Sequence, residues 1–444
     1  MKQFAKALLL SSALCALSFW PAHADMDVPA LKAAIEKSFE ADYPKLEALY
    51  RDLHAHPELA FQEVKTAAKL AAEMRALGFE VTEKVGKTGL VAVYNNGDGP
   101  TIMVRTELDA LPMEEKTGLD YASRDKAVAF GKESFVAHSC GHDIHMANWV
   151  GTAKTLVGLK DQWKGTLMFI AQPAEEIVAG AKAMLEDGLF TRFKKPDFAF
   201  ALHAGGFPHG YLNYRIGVGS SVADGLYIKF RGRGGHGATP QATIDPIMIA
   251  ARFIVDVQSV ISREKDPTEF AVVSIGAIQS GTVGNIIPDE AVLQGTIRTF
   301  KPQVRTKLHA GIERVAKAAA AMSDAPAPDI RIVEGAKAVM NDPAVVATAE
   351  KALKAAFGDK FRISPPGTPS EDFSEFAHAG VPSMMFNIGV HDPERWAAAN
   401  NGGTPMPANH SPLFAPVPKP TIQTGVTAMT LAVLSAFDQH ARGK

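Results

Sequence analysis

The chain has 444 residues, with 46 Lys and Arg against 48 Asp and Glu. Charged residues make up 21% and hydrophobic residues 46%, which excludes disordered and fibrous proteins. The near-neutral balance gives no reason to expect a nucleic-acid partner. Two cysteines cannot form a disulfide scaffold. At about 150 residues per domain, the length predicts roughly two or three domains.

The first residues predict a secretory signal peptide. Lys2 and Lys6 precede an apolar stretch at 7–20, and Ala22-His23-Ala24 follows as an A-x-A end. The apolar stretch is too short for a membrane span. We therefore expect cleavage after Ala24 and a secreted, periplasmic protein that no longer associates with a membrane. Cys140 is then the remaining thiol, and an oxidising compartment requires it to be buried or functional.

Strands and helices alternate over the first half of the chain. The apolar periodicity predicts helices at 29–53, 62–77, 145–157 and 180–187, and strands at 79–85, 89–94, 101–106, 166–172 and 198–203. Such alternation favours an α/β domain with a mostly parallel sheet.

From about Ala223 the order of elements becomes βαββαβ, which is typical of ferredoxin-like units. The strands are predicted at 226–230, 271–278, 291–300 and 330–334, and the helices at 245–262 and 304–322. We therefore expect four segments: 1–24 as signal peptide, 25–222 and 338–444 as two parts of one domain, and 223–337 as a domain inserted between them.

Three histidines, one cysteine and one aspartate fall within residues 138–145. Thiolate and imidazole are ligands that zinc-like metals prefer. Cys140 and His142 flank Gly141, and glycine lets the chain turn so that both side chains face one centre. Metal binding would also give the lone thiol a function. The alternative is a buried cysteine beside surface histidines.

Glu175 and Glu176 follow the apolar strand predicted at 166–172, and α/β sheets keep their sites at the carboxyl ends of strands. One carboxylate can bind metal while the other acts as general base. The alternative is a solvated acidic pair that begins the next helix. His203 and His410 are further candidate ligands, each weak when taken alone.

Residues 232–237 match the G-x-G-x-x-G pattern of dinucleotide sites, but Pro240 and Pro246 interrupt the helix that would bind phosphate. We expect these glycines to bring His236 close to a site instead. Asn285 and Arg298 are candidate contacts to an anionic substrate, and a surface salt bridge is the alternative for Arg298.

In this order, the segments resemble the co-catalytic metallo-amidohydrolases, which include aminoacylases, hippurate hydrolase and the plant hydrolases of indole-acetyl amino acids. The resemblance covers nearly the whole mature chain. The matching segments lie at 53–59, 105–112, 138–145, 172–176, 202–203, 234–238, 370–373 and 410–412.

The resemblance implies a zinc-peptidase-like catalytic domain with an inserted ferredoxin-like lid or dimerisation domain. It implies that two divalent metal ions are held by Cys140, His142, Glu176, His203 and His410. Glu175 would be the general base, and His236 would stabilise the oxyanion from its own or a partner subunit. Asp109 would orient a ligand, and Asn285 and Arg298 would contact substrate.

We therefore predict a homodimeric enzyme that hydrolyses the amide of N-acyl amino acids with Zn, Mn, Co or Ni. The alternatives are a metallo-carboxypeptidase or dipeptidase, a non-catalytic metal- or peptide-binding protein, and a nucleotide-dependent oxidoreductase. Two departures from the family pattern leave the substrate fit open. One is the Asn-, Gly- and Pro-rich stretch at 391–408, and the other is the Ala-Pro-Val-Pro-Lys-Pro sequence at 415–420, where an acidic continuation is expected.

Overall fold

The computed structural model describes residues 26–443, so the predicted signal peptide lies outside the described residues. The α-helices are α1 Val28–Ala55, α2 Val64–Ala76, α3 His142–Gly158, α4 Gly180–Glu186, α5 Leu189–Arg192, α6 Pro246–Ser259, α7 Pro302–Ala321, α8 Pro343–Phe357, α9 Ser374–His378, α10 Pro393–Asn400 and α11 Pro418–Arg442. The strands are β1 Glu80–Val85, β2 Gly89–Asn95, β3 Thr101–Glu107, β4 Lys126–Ala129, β5 Lys132–Phe135, β6 Thr166–Gln172, β7 Phe198–Pro208, β8 Leu212–Tyr214, β9 Gly217–Val218, β10 Val222–Arg231, β11 Gly235–His236, β12 Ala271–Gln279, β13 Ile286–Ile287, β14 Glu290–Thr299, β15 Asp329–Glu334, β16 Met340–Asn341, β17 Phe361–Ile363 and β18 Ser383–His391.

An eight-stranded sheet in the order β1-β2-β6-β3-β7-β18-β8-β17 forms the centre of the larger domain. Its middle strands β6, β3, β7 and β18 are parallel, and β1 and β2 run antiparallel at one edge. Ile102 and Val104 pack on one face against α1, α3 and α11, while Met103 packs on the opposite face against α4 and α9. Burial of both faces explains why these strands are apolar without alternation.

A second sheet, in the order β12-β14-β10-β15, is antiparallel throughout. Helices α6 and α7 cover it, and Phe230, Phe253 and Leu308 are fully buried between the layers. The chain order of these elements is the predicted βαββαβ. The sheet spans Val222 to Glu334, and the domain boundaries proposed at 223 and 337 stay a prediction.

The register of the larger sheet brings polar residues to one level near the carboxyl ends of its central strands. Glu107 pairs with Gln172, and His203 pairs with Asn387. On β3 and β7, Arg105 pairs with Ala201. Glu107 and His203 each lie two residues further along these strands, so they lie at the same level. Four neighbouring strands therefore present side chains at the carboxyl-terminal edge of the sheet, where ligand sites of α/β sheets lie. This end of the sheet is called its polar edge below.

Helix α3 begins at His142, earlier than the predicted start near His145. Gly141 precedes it with φ of 92°, a left-handed conformation that favours glycine. The turn at Gly141 places Cys140 and His142 at the N-terminus of the helix, beside the polar edge of the sheet. No helix within residues 26–443 combines the length and apolar character needed to cross a bilayer.

A buried histidine fixes α3 to the end of α1. His54 lies 2.6 Å through Nδ1 from an oxygen of Asp143 and 3.0 Å through Nε2 from an oxygen of Glu115, and all three side chains are buried. Although burial lowers it, the hydrogen bonds to Asp143 and Glu115 raise the pKa of His54 to about 10. His54 is therefore an imidazolium at neutral pH, and it neutralises two carboxylates next to His142.

We predict that His54→Gln destabilises the protein by about 3–5 kcal/mol at neutral pH, because it leaves two buried carboxylates without a cation. Since folding raises the pKa of His54 from 6.5 to about 10, its contribution is complete below pH 6.5 and is lost as the pH rises through about 10. The free energy of unfolding in urea, measured for wild type and variant below pH 6.5 and above about pH 10, tests this prediction. His56→Gln is the control, because His56 is exposed; equal losses in both variants would contradict the prediction.

Candidate metal centre and active site

The structure brings the five predicted metal ligands together at the polar edge of the larger sheet. Cys140 Sγ lies 3.5 Å from His203 Nε2, and His142 Nε2 lies 3.9 Å from Glu176 Oε1. His410 Nε2 lies 3.4 Å from Glu176 Oε2. Ligand atoms of Cys140, Glu176 and His410 lie within 4.8 Å of one another, as do those of His142, Glu175 and Glu176.

The atoms that face the centre fit divalent metal ions. His142 Nε2 and Glu176 Oε1 are buried, and within residues 26–443 they have no hydrogen-bond partner. Buried polar atoms are nearly always partnered, so this pair calls for a ligand. His142 Nδ1 donates to the Asp109 carbonyl at 2.7 Å, and His203 Nδ1 donates to the Ala204 carbonyl at 2.8 Å. Each Nε2 therefore keeps its lone pair for a metal.

Two buried carboxylates hold the backbone that carries the paired glutamates. Asp109 accepts from the Glu175 N–H at 3.0 Å and from the Glu176 N–H at 2.9 Å. Glu63 accepts from the Ala174 N–H at 2.8 Å. Ala174 has φ of 51°, which is unfavourable for a residue with a side chain and requires such restraint. Asp109 and Glu63 thus fix the directions of Glu175 and Glu176.

Arg105 is a fully buried cation behind the site. Its Nε donates to Gln172 at 3.0 Å, and its Nη2 donates to Glu371 at 2.7 Å and to Asp372 at 3.2 Å. It also pairs with Glu107. These contacts place the Glu371 carboxylate next to the metal-ligand cluster, and they join β3 and β6 to the C-terminal part of the chain.

The crowding of acidic groups is visible in their pKa values. Burial, and then the Glu371 carboxylate, raise the pKa of Glu175 well above its usual range. Burial raises the pKa of Glu176 to about 7 and raises that of the Cys140 thiol. Burial lowers the pKa of His203 to about 3, which keeps this imidazole neutral. Cations at the centre would stabilise the carboxylates and the thiolate and reverse these shifts.

A cavity of about 720 Å³ lies over the centre, and four of the predicted ligands (Cys140, Glu176, His203 and His410) line it together with Glu175. Arg298 reaches the same cavity from β14 of the inserted unit. Its Nη1 donates to Ser370 Oγ at 3.0 Å and its Nε donates to Thr296 Oγ1 at 3.1 Å. The alternative of a surface salt bridge does not describe Arg298, because its side chain faces the cavity.

The structure does not bring His236 and Asn285 to this cavity. His236 lies on the exposed pairing of β11 with β13, and Asn285 directly precedes β13. The Asn285 carbonyl accepts from the Gly237 N–H at 2.8 Å. The glycine pattern at 232–237 has a packing explanation, since a Cβ on Gly232 would lie 2.1 Å from the Ile244 carbonyl. A phosphate-binding role is not needed to explain it.

Three further features were not predicted. His145 uses both ring nitrogens, since Nδ1 lies 2.9 Å from Glu107 and Nε2 accepts from the Ala204 N–H at 2.7 Å. It therefore positions the backbone beside His203. Asn409 donates to the Cys140 carbonyl at 2.9 Å and orients the loop of His410. The stretch 391–408 contains helix α10, which ends at Asn400, and it contributes no residue to the lining of the cavity.

Fold and site together define a metal-dependent hydrolase. Residues 103–403 match the model of Peptidase family M20/M25/M40, and the chain belongs to this family. An N-acetylcysteine deacetylase of Bacillus subtilis is 35% identical over 367 residues, which cover 80% of this chain and 91% of that protein. A hippurate hydrolase of Campylobacter jejuni is 37% identical over 339 residues, which cover 75% of this chain and 85% of that protein.

A Bacillus subtilis structure described as a dinuclear metal binding peptidase from the M20 family is also similar. It is 29% identical, with a TM-score of 0.73, and the match covers 90% of this chain and 99% of that chain. These similarities confirm the predicted fold class and show that the chain is a metal-dependent amidohydrolase.

We predict that Glu63→Ala lowers kcat at least about tenfold, because a small misplacement of a catalytic group is costly. Glu63→Gln should restore most of the activity, since its amide oxygen can still accept from the Ala174 N–H. Both variants should retain the wild-type metal content. Initial rates on one acylated amino acid, with metal analysis, provide the measurement.

Glu58→Ala is the matched control for Glu63→Ala. Glu63 and Thr66 both lie at the start of helix α2. The Glu58 carboxylate accepts from the Thr66 N–H at 2.8 Å, but not from the Ala174 backbone. Equal losses of kcat in Glu58→Ala and Glu63→Ala, or no rescue by glutamine, would show that Glu63 only stabilises the fold.

Proposed function

We propose that the chain hydrolyses the amide bond of N-acyl amino acids, with Glu175 as general base and acid. The observation that carries this proposal is the position of the Glu175 carboxylate. It lines the cavity 3.7 Å from His142 Nε2, on a backbone that Asp109 holds. The names of the hippurate hydrolase and the N-acetylcysteine deacetylase describe enzymes that act on such amides.

Cys140, His142, Glu176, His203 and His410 would hold two divalent ions. The thiol and imidazole ligands favour zinc, and manganese, cobalt and nickel are also suited to the set. When bound, the ions supply Lewis-acid polarisation of the scissile carbonyl and acidify the attacking water.

The Glu175 carboxylate lines the cavity beside His142, where it can accept a proton from the attacking water. This carboxylate takes one proton as the water oxygen bonds to the carbonyl carbon. As the C–N bond breaks, it gives that proton to the leaving nitrogen, so the products are a carboxylate and an amino acid. Arg298 faces the cavity and would bind the substrate's α-carboxylate by charge-assisted hydrogen bonds.

A peptidase acting on short peptides is the second candidate, favoured by the similar Bacillus subtilis structure described as a peptidase. The cavity of about 720 Å³ has room for a dipeptide as well as for an acylated amino acid. Comparison of kcat/KM on benzoyl-glycine and on unblocked dipeptides separates the two candidates.

We predict that Glu175→Gln keeps the full metal content but lowers kcat by at least about a hundredfold, the scale of general acid–base catalysis. Cys140→Ser is the complementary variant, because it should lose metal while it keeps Glu175. Metal analysis and benzoyl-glycine turnover on both variants provide the measurement. Turnover by Glu175→Gln at the wild-type rate would show that Glu175 is not the general base.

We further propose a periplasmic homodimer. The location is supported by the basic, apolar and A-x-A segments of residues 1–24. The dimer is supported by the place of His236, which is exposed and does not line the cavity of its own chain. In this proposal each inserted domain presents His236 to the oxyanion of the other subunit.

We predict that mixing and refolding the two inactive variants Glu175→Gln and His236→Ala restores activity. Half of the dimers would be hybrids with one complete site, so recovery should reach about a quarter of the wild-type rate. Size-exclusion chromatography with light scattering checks the oligomer in parallel. A dimer without recovery would place His236 in its own subunit or outside the reaction.

A further inference from the structure

A second arginine faces the cavity and has no role in the proposed reaction. Arg215 follows β8 and lines the cavity with Cys140 and His203. Its Nη1 donates to the Ser364 carbonyl at 3.0 Å, but its Nε is buried and has no hydrogen-bond partner within residues 26–443. None of the ion pairs among those residues involves Arg215. Arg215 is half-buried and lines the cavity, so the guanidinium donors that Ser364 does not use are available to an acceptor in the cavity.

The neighbouring wall of the cavity comes from β18. Met384, Phe386 and Ile388 of this strand are buried in the main core, whereas Met385 and Asn387 face the cavity. The Asn387 side chain makes no hydrogen bond among the described residues. Since Asn387 pairs in register with His203, its amide stands directly beside the metal-ligand cluster.

One loop, at 364–370, accepts hydrogen bonds from both cavity arginines. Arg215 donates to the carbonyl of Ser364, and Arg298 donates to the hydroxyl of Ser370. The acidic groups on the cavity wall, which are Glu175, Glu176 and Glu371, belong to the metal-ligand cluster and its support. The cavity therefore offers two separate guanidinium groups, and neither pairs with a carboxylate within residues 26–443.

We propose that the enzyme prefers N-acyl amino acids that carry two carboxylates, with one bound by Arg298 and the second bound by Arg215 and Asn387. This proposal rests on the proposed hydrolysis of N-acyl amino acids and narrows its substrate class. The second carboxylate has two possible sources: the side chain of an acidic amino acid, or the far end of a dicarboxylic acyl group such as succinyl. In both cases the group offered to Arg215 is a carboxylate separated from the scissile amide by the carbon chain of the substrate.

Two matched pairs of substrates test the preference and separate the sources. The first pair is N-acetylglutamate and N-acetylglutamine, and the second is N-succinyl-leucine and N-succinamoyl-leucine. A hydrogen bond to a charged group predicts that the wild type favours the anionic member of one pair by at least about tenfold in kcat/KM. Arg215→Gln should abolish that preference, mainly through KM, and change the neutral member less than about threefold.

Arg252→Gln is the matched control, because Arg252 is exposed on α6 and does not line the cavity. Asn387→Ala is a second test of the subsite and should lower the preference for the anionic substrate. If thermal unfolding and metal content show that Arg215→Gln does not fold, Asn387→Ala replaces it as the test.

Two results would overturn the proposal: no anionic preference in the wild type, or a preference that survives Arg215→Gln. If Arg215→Gln does not fold, a preference that survives Asn387→Ala would overturn it. Benzoyl-glycine distinguishes failure of the subsite from failure of the proposed function. Turnover of benzoyl-glycine without an anionic preference contradicts the subsite alone. No turnover of any acylated amino acid by the metal-loaded enzyme contradicts the proposed function itself.

Discussion

The burial of many carboxylates at one edge of a sheet is the constraint on which this structure depends. The buried or nearly buried acidic side chains at this edge are Glu63, Glu107, Asp109, Glu175, Glu176, Glu371 and Asp372. A buried ion without a partner costs several kcal/mol, so cations must compensate the charge. Arg105 compensates part of it, and the raised pKa values of Glu175 and Glu176 show the part that remains. Metal ions would supply the remaining compensation, which couples metal binding to the stability of the fold.

The metal centre and the two cavity arginines are held by different segments of the chain. The larger sheet and the turn at Gly141 provide the metal ligands and Glu175, which need precise placement on rigid elements. β14 of the inserted unit carries Arg298, and the loop at 364–370 accepts hydrogen bonds from Arg298 and Arg215. This division allows the substrate preference to change while the metal centre stays the same.

The sequence predicts the features of the molecule that depend on residues close together in the chain. Buried strands such as β3 and β6 are continuous apolar runs, and the cluster at 138–145 contains its own ligands, so both could be recognised from neighbouring residues. Glu63 and Arg105 could not be recognised, because a charged residue carries no local sign that it is buried. The partners of Arg105 at 371 and 372 lie more than 260 residues away along the chain. His236 shows the opposite limit, since the glycine pattern around it does not reveal which subunit it serves.

The connection of Arg105 to Glu371 and Asp372 also orders the events of biosynthesis. A nascent chain that ends within the inserted unit already contains Arg105 but lacks Glu371 and Asp372, the two carboxylates that bind its guanidinium. The inserted unit has no such dependence, because its hydrophobic core lies wholly between Leu226 and Ile332. Its core can therefore form before the C-terminal segment is synthesised. Arg105 obtains Glu371 and Asp372, and the metal-ligand cluster obtains His410, only after that segment is present.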